Sequence, residues 1–383
     1  MRKIAYCCLM LLLLLCCKDK YDAPVKTSVT GYLVVEGYIS ANGPAEIHLS
    51  RSIPLNDTAK LINETLAKVQ LQGRDNSSFN LAETPGGNYI NNLINLNHSQ
   101  QYRLYIKTNE GKEYASDYVN VKEAPPIDSV GWVRDNGGLQ IYVNTHDTKN
   151  NTWYYHWTTE ETWEYHSSYY TALEFLRDPT THAIVGVKWR RPDKKYIDSL
   201  FTCWGNQNST DLILGSSAKL SLDSIHKPLV YIEPASFKLS VLYSLLVKQY
   251  ALSKEEYEYL DKMKKNSEET GNVFGRQPSE LKGNIHCLSN ANEPVIGYIG
   301  IANRMEKRLW IDRWRDVPDW QYYLLCDIVE VPVSDINKFT NYMPTTPRDI
   351  SRTGDIISYV GITPNCVDCR LRGGKTKKPS FWP

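Results

Sequence analysis

Net charge is almost absent from this 383-residue chain: 44 Lys and Arg offset 43 Asp and Glu, leaving +1. Without a basic excess nothing is available to hold a phosphate backbone, which argues against nucleic acid as a partner. Phenylalanine is scarce, with 7 residues against 26 Tyr and 10 Trp, so most rings carry a polar handle suited to sheet surfaces and interfaces. Neither G-x-S-x-G nor H-E-x-x-H occurs, which removes two common hydrolase signatures. No period of roughly 20 to 50 residues repeats, so neither a solenoid nor a propeller is indicated. No cofactor and no metal are expected.

A hydrophobic run long enough to cross a bilayer is missing as well. The start, MRKIAYCCLMLLLLLCCKDKYD, has a basic region (Arg2, Lys3), about 14 apolar residues from Ile4 to Cys17, and then abrupt polarity. A spanning helix needs roughly 20 residues, so this segment reads as a secretory signal. Leucines running into a cysteine followed by Lys18, Asp19 and Lys20 resemble a bacterial lipoprotein signal, whose cysteine is lipidated and becomes the mature N-terminus. Residues 1–17 are therefore expected to be a lipoprotein signal peptide and residues 18–28 a polar tether. Cys17 is the expected lipidation site, because the small Cys16 before it suits the peptidase better than Leu15 would; Cys16 is the alternative. Export leaves five cysteines beyond the anchor, Cys203, Cys287, Cys326, Cys366 and Cys369. The number is odd, so at least one thiol stays free, pairs between chains or is buried.

The mature chain is patterned mainly for strands. GYLVVEGYIS, AEIHLSR, AKVQLQG, SSFNLAE, NYINNLI, QYRLYIK and EYASDYVNV follow one another, broken by Asn-Gly, Pro-Gly-Gly and Asn-Glu-Gly turns. In Gln101 to Lys107, Tyr102, Leu104 and Ile106 fall on one face. That spacing predicts an immunoglobulin-like β-sandwich over residues 29–124. Pro125 and Pro126 break the pattern and favour an extended connector. Residues 127–383 are then expected to form a larger β-rich domain, with strands at VIGYIGIAN and KRLWIDRW and a helical segment at about 240–271. Its first half, from Leu239 to Val247, is apolar enough to be a buried strand or a buried helix. In its second half Ser253 and Glu256 fit a capping box, and Gly271 sits where a helix would end.

Several constellations could carry chemistry. Along Thr152 to His166, a strand would line up His156, Thr158, Glu160, Thr162, Glu164 and His166 on one face and Tyr155, Trp157, Thr159, Glu161, Trp163 and Tyr165 on the other. His156 and His166 would then lie roughly 33 Å apart, too far to share an ion, so a solvated face backed by buried aromatics is expected rather than a metal site. A hydrolase built on Glu160, Glu161 and Glu164 has no visible means of separating their pKa values. Cys366-Val-Asp-Cys369 has C-x-x-C spacing but lacks both a thioredoxin context and a second C-x-x-C, which points to a local disulfide or structural pin. Cys203 and Cys287 flank the helical segment and are candidates to pair with each other. Trp153, Trp157, Trp163, Trp310 and Trp314 are candidate ligand-contact aromatics.

The lipoprotein start, VVEGYIS, PPIDSV, YYHWTTEETWEY, the helical segment through Gly283-Asn284-Ile285, VIGYIGI and the CVDCRLRGGKTKKPSFWP ending together resemble a family of uncharacterised Bacteroidetes outer-membrane lipoproteins, a domain of unknown function. The resemblance implies a mainly β lipoprotein, commonly encoded beside a TonB-dependent outer-membrane receptor, and it supplies no catalytic residues. The expected function is a non-enzymatic, lipid-anchored accessory protein of the outer membrane that partners such a receptor in nutrient uptake. The alternative is an autonomous glycan-binding or adhesion module carried by the five tryptophans. Either side of the outer membrane is compatible with the sequence.

Overall fold

The computed structural model describes residues 31–53, 62–190, 194–269 and 281–383. The signal peptide, the tether, Cys16, Cys17 and Gly271 lie outside them. The described chain is mainly β, as expected.

The seven N-terminal segments form strands where alternation placed them: Leu33–Ser40, Ala45–Arg51, Lys68–Gly73, Ser78–Thr84, Asn88–Asn91 and Gln101–Lys107, with the seventh divided into Glu113–Ser116 and Val119–Lys122. Tyr102, Leu104 and Ile106 point inward as the period of two requires. The strands do not form the two-sheet, immunoglobulin-like sandwich that their spacing suggested. One antiparallel path runs from Gln101–Lys107 through Lys68–Gly73, Ser78–Thr84, Asn88–Asn91 and Ala45–Arg51 to Leu33–Ser40. It is closed by the two-residue strand Ile301–Ala302, which pairs in parallel with both Leu33–Ser40 and Val119–Lys122. Val119–Lys122 in turn pairs back to Gln101–Lys107, so the sheet is barrel-like.

This closure also revises the expected boundary. Residues 285–302 leave the second region and return to the barrel, where Ile285, Cys287, Val295, Ile299 and Ile301 join Leu33, Val35 and Leu104 in one core. Asn284 holds the return in place by donating to the Ile299 carbonyl (3.0 Å) and accepting from the Ile299 amide (2.9 Å). Gly297, at φ +145°, lies so close to the first strand that a Cβ there would meet the Val35 carbonyl.

Two-sheet packing appears in the second body instead. The sheet of Ile127–Asp135, Gly138–His146 and Ser224–Ile232 faces a sheet of Thr202–Asn208, Tyr154–His166, Leu242–Ala251 and Met305–Asp312, with Ile213–Ser216 also paired to Tyr154–His166. Leu139, Ile141 and Val143 from the first sheet bury against Tyr155, Trp157, Leu245 and Val247 from the second. The hairpin at Asn136-Gly137 has both residues at positive φ, 47° and 82°, as a tight two-residue connection demands.

The expected helix over about 240–271 is therefore half strand. Leu242–Ala251 pairs with Tyr154–His166 on one side and Met305–Asp312 on the other, and the leucines on its half-buried face, Leu242 and Leu246, hide the alternation that would identify it. The helix is Lys254–Glu269. Its capping box forms as expected: the Ser253 hydroxyl accepts the Glu256 amide at 3.1 Å, and the Glu256 carboxyl takes the Ser253 backbone N–H.

A smaller module packs the hairpin Leu173–Arg177 and Ile184–Trp189 against the sheet of Ile328–Pro332, Ile356–Ile362 and Met343–Ile350, around Leu173, Ile184, Val331 and Tyr359. Disulfide Cys326–Cys366 closes the base of that sheet, and Cys203–Cys369 ties the segment after it into the sandwich core. Neither a local Cys366–Cys369 bond nor a Cys203–Cys287 bond forms. Cys366 ends one 3-10 turn and Cys369 begins the next, each facing a different partner. Cys203 belongs to the sandwich core and Cys287 to the barrel core. Cys287 is the buried free thiol that the odd count requires.

Candidate functional site at the seam between barrel and sandwich

The segment Ala124-Pro125-Pro126 joins the barrel strand Val119–Lys122 to the sandwich strand Ile127–Asp135 and is held on both sides. The Ala124 amide donates to the Asn303 side chain. Buried Gln249 donates to the Pro125 carbonyl (2.8 Å) and to the Thr145 hydroxyl (3.0 Å), and accepts from Trp157 Nε1 (2.8 Å). All of these groups are satisfied, so the connector is a fixed part of the seam rather than a free hinge.

Beside this connector lies an open cavity of about 640 Å³, the kind of concave site that forms where two bodies meet. Its floor includes Val121, Pro125 and Ala251, and its rim alternates in charge. His146 Nδ1 meets Asp128 at 2.7 Å, and His98 meets Glu123 at 3.4 Å. The hydrogen bond that His146 donates to Asp128 raises the His146 pKa. Burial pushes the Asp147 carboxyl up, but the Asn151 and Lys149 amides (both 2.9 Å) and the Thr152 hydroxyl (3.0 Å) outweigh it and hold the group below its usual range. The rim groups other than Lys122 are thus engaged with one another or with the backbone.

A neighbouring cavity of about 310 Å³ shares Lys122 and is lined by Asp117, Glu255, Glu256 and Tyr298. Burial raises the Glu256 pKa from 4.5 to about 7, opposed only in part by the Ser253 N–H and by Lys122. The side chain is packed so closely that a Cβ at Gly300 would collide with its carboxyl group. Glu255, one residue earlier and exposed, is shifted the other way by the backbone and by Ser253.

The face from His156 to His166 is not uniformly solvated as expected. His156 is 1% exposed, stacked on Tyr38 of the barrel at 5.0 Å, with Nε2 3.3 Å from the Tyr38 hydroxyl and Nδ1 without a partner. Burial lowers its pKa to about 4. His166, at the far end of the strand, pairs with Glu164 at 3.1 Å. Among the described residues no group of His, Cys, Asp and Glu could hold a metal ion.

The three glutamates of the same strand do not converge. Glu160 pairs with Lys248 (3.6 Å), and Glu164 accepts from Trp382 Nε1 (2.8 Å). Glu161 turns to the other face, where Tyr243 and Lys238 bind it at 2.9 Å each.

Nor do the five tryptophans make one surface. Trp157 is fully buried, and Trp163 is 7% exposed beneath the Lys238 ammonium, 4.8 Å from its ring centroid. Trp153, at φ +55°, is held by its amide to Asp223 (3.1 Å). Trp310 packs on Trp382 at 4.9 Å, and Trp314 alone stands out, 74% exposed with Arg313 over its ring. The seam residues Tyr38, Lys122, Tyr250, Glu256 and Arg304 were not singled out by the sequence as a site. The Pro-Pro break and the capping box marked two edges of the seam, but nothing local reports which residues meet there.

No curated protein matches the chain. The family described as Domain of unknown function (DUF4249) matches residues 18–308. That span takes in the barrel, the seam and nearly all of the sandwich, and ends before the strands Ile328–Pro332, Met343–Ile350 and Ile356–Ile362. With most of its length matched, the chain belongs to the DUF4249 family.

Proposed function

We propose that this protein is a non-enzymatic accessory protein of the bacterial outer membrane, anchored by a lipid on Cys17, that binds a TonB-dependent receptor and assists nutrient uptake. The observation that carries the binding part is the seam: a cavity of about 640 Å³ built by both bodies, with most of its charged rim already engaged internally. Paired, preorganised groups suit recognition of a complementary surface, since their ordering cost is met before the partner arrives. A catalytic reading has less support, because Glu160, Glu161 and Glu164 are each tied to a separate partner and lie on two faces. The anchor and the Bacteroidetes setting rest on the leader and on the resemblance of the mature chain.

The test is an affinity pull-down of the tagged lipoprotein from its native outer membrane in mild detergent, with co-purifying proteins identified by mass spectrometry. Recovery of a TonB-dependent receptor in near-equal amount is the expected result. Recovery of the lipoprotein alone, with that receptor present but unbound, overturns the reading.

A further inference from the structure

On the other side of residues 303–305 the seam holds a third cavity, of about 220 Å³. Asn303 and Met305 face the large cavity, whereas Arg304 between them faces this one. We propose that it is a binding site for a single neutral sugar ring, held between barrel and sandwich.

Its size comes first. A cavity of about 220 Å³ lies below the roughly 300 to 1,000 Å³ of drug-sized sites, which suits one ring. The charges come next. Glu46 and Glu160 are balanced by Lys248 and Arg304 in the same lining. Lys248 is spent on Glu160 (3.6 Å), and Arg304 on Glu306 (2.8 Å) and the Tyr250 hydroxyl. An anion would have to break one of these pairs, at the cost of leaving its partner uncompensated, and a cation drawn to Glu46 would sit beside the Lys248 and Arg304 cations of the same lining; a neutral ligand meets neither cost.

The remaining polar groups match hydroxyls. Glu46 is an acceptor without a hydrogen bond or ion pair, and the Asn208 amide offers two donors and an acceptor. The Ser209 hydroxyl, which accepts from the Thr159 amide at 2.9 Å, still has its own proton to give. A sugar hydroxyl is at once donor and acceptor, so it can answer every one of these. The apolar wall is Tyr38 and Tyr250, stacked at 5.1 Å and backed by His156. Because that stack is buried behind the cavity, the wall is rigid before any ligand arrives.

This inference is independent of receptor binding, and the two fail separately: the pull-down reports on the partner, a titration on the cavity. The experiment is saturation-transfer NMR with titration of the full-length lipoprotein in detergent. The probes are glucose, galactose, mannose and N-acetylglucosamine, with glucuronate and glycine as charged and zwitterionic controls. At least one neutral sugar is expected to saturate, and the controls are not. Asn208→Ala and Glu46→Ala change exposed side chains on which no other hydrogen bond depends, so both variants should fold and each should weaken binding about five- to tenfold, the loss of one hydrogen bond. Failure of all four sugars to saturate overturns the proposal. So does binding that both variants leave unchanged, or preferential binding of glucuronate or glycine.

Discussion

Replacing Glu256 by Gln should make the protein more stable, and only at higher pH. The Glu256 carboxyl is fully buried at the start of helix Lys254–Glu269, with its pKa raised from 4.5 to about 7 by desolvation. The unfolded chain releases this proton near pH 4.5, whereas the folded chain keeps it to about pH 7. Stability is therefore whole below pH 4.5, declines as the pH rises, and is fully reduced once the folded group ionises. At about 1.36 kcal/mol per unit, the displacement amounts to roughly 3 kcal/mol. Glutamine keeps an oxygen for the Ser253 N–H, and so retains the capping interaction, while removing the charge. Urea unfolding of both proteins from pH 4.5 to 8 should give superimposed midpoints at the acid end and a difference approaching roughly 3 kcal/mol in favour of the variant at pH 8. A difference that stays constant with pH, or one that grows toward acid, would refute the assignment of a buried, protonated carboxyl.

His156 titrates with the opposite sign. Its pKa is lowered from 6.5 to about 4 by burial, so its contribution is present above pH 6.5 and lost as the pH falls through 4; His156→Phe should remove that acid-side loss, read as a flatter dependence of the urea midpoint between pH 6.5 and 4. Cys369→Ser opens a link spanning 166 residues, for which loop-closure entropy gives an upper estimate of about 5 kcal/mol, against about 4 kcal/mol for Cys326→Ser and its 40-residue separation. Thermal unfolding should rank the two in that order, and mass spectrometry after alkylation should find Cys287 as the thiol that labels only after denaturation. Replacing Cys17 and Cys16 together by Ser should move the protein from the membrane to the soluble fraction, and continued membrane retention of the double variant would sink the lipid-anchor reading.

What could be read in advance was what neighbours in sequence determine. Side-chain alternation in Gln101–Lys107 and the other N-terminal segments depends only on residues two apart, and it survives folding intact. The capping box at Ser253 and Glu256 is equally local. Leu242–Ala251 was ambiguous for a physical reason: Leu242 and Leu246 put apolar side chains on the half-buried face as well as the buried one, and a run apolar on both faces fits a buried helix as well. The disulfides failed differently, because proximity in sequence, as in Cys366-Val-Asp-Cys369, says nothing about the direction in which each thiol points.

The closure of the barrel and the making of the seam share one cause. Ile301–Ala302 is a strand of two residues, too short for any period, and it pairs with residues near 39 and 121. Each group at the seam is drawn from a different stretch: Tyr38 from the first strand, Lys122 from the last barrel strand, His156 and Tyr250 from the two central sandwich strands, Glu256 from the helix, Arg304 from the return. Apart from Glu256, marked by its capping box, none of these is conspicuous in its own neighbourhood, and His156 read most naturally as a solvated histidine. Folding takes the uncharged forms of a histidine and a glutamate, which water would have ionised at neighbouring pH values, and buries both at one junction. The His156 penalty grows as the pH falls from 6.5 toward 4 and the Glu256 penalty as it rises from 4.5 toward 7, so the two overlap between pH 4.5 and 6.5 and partly offset each other in the pH dependence of the junction. A burial of that kind is difficult to account for as packing alone, since apolar residues of equal volume would fill the same space without the penalty. Glu256 borders one of the cavities, and His156 stands behind Tyr38 and Tyr250, which line another.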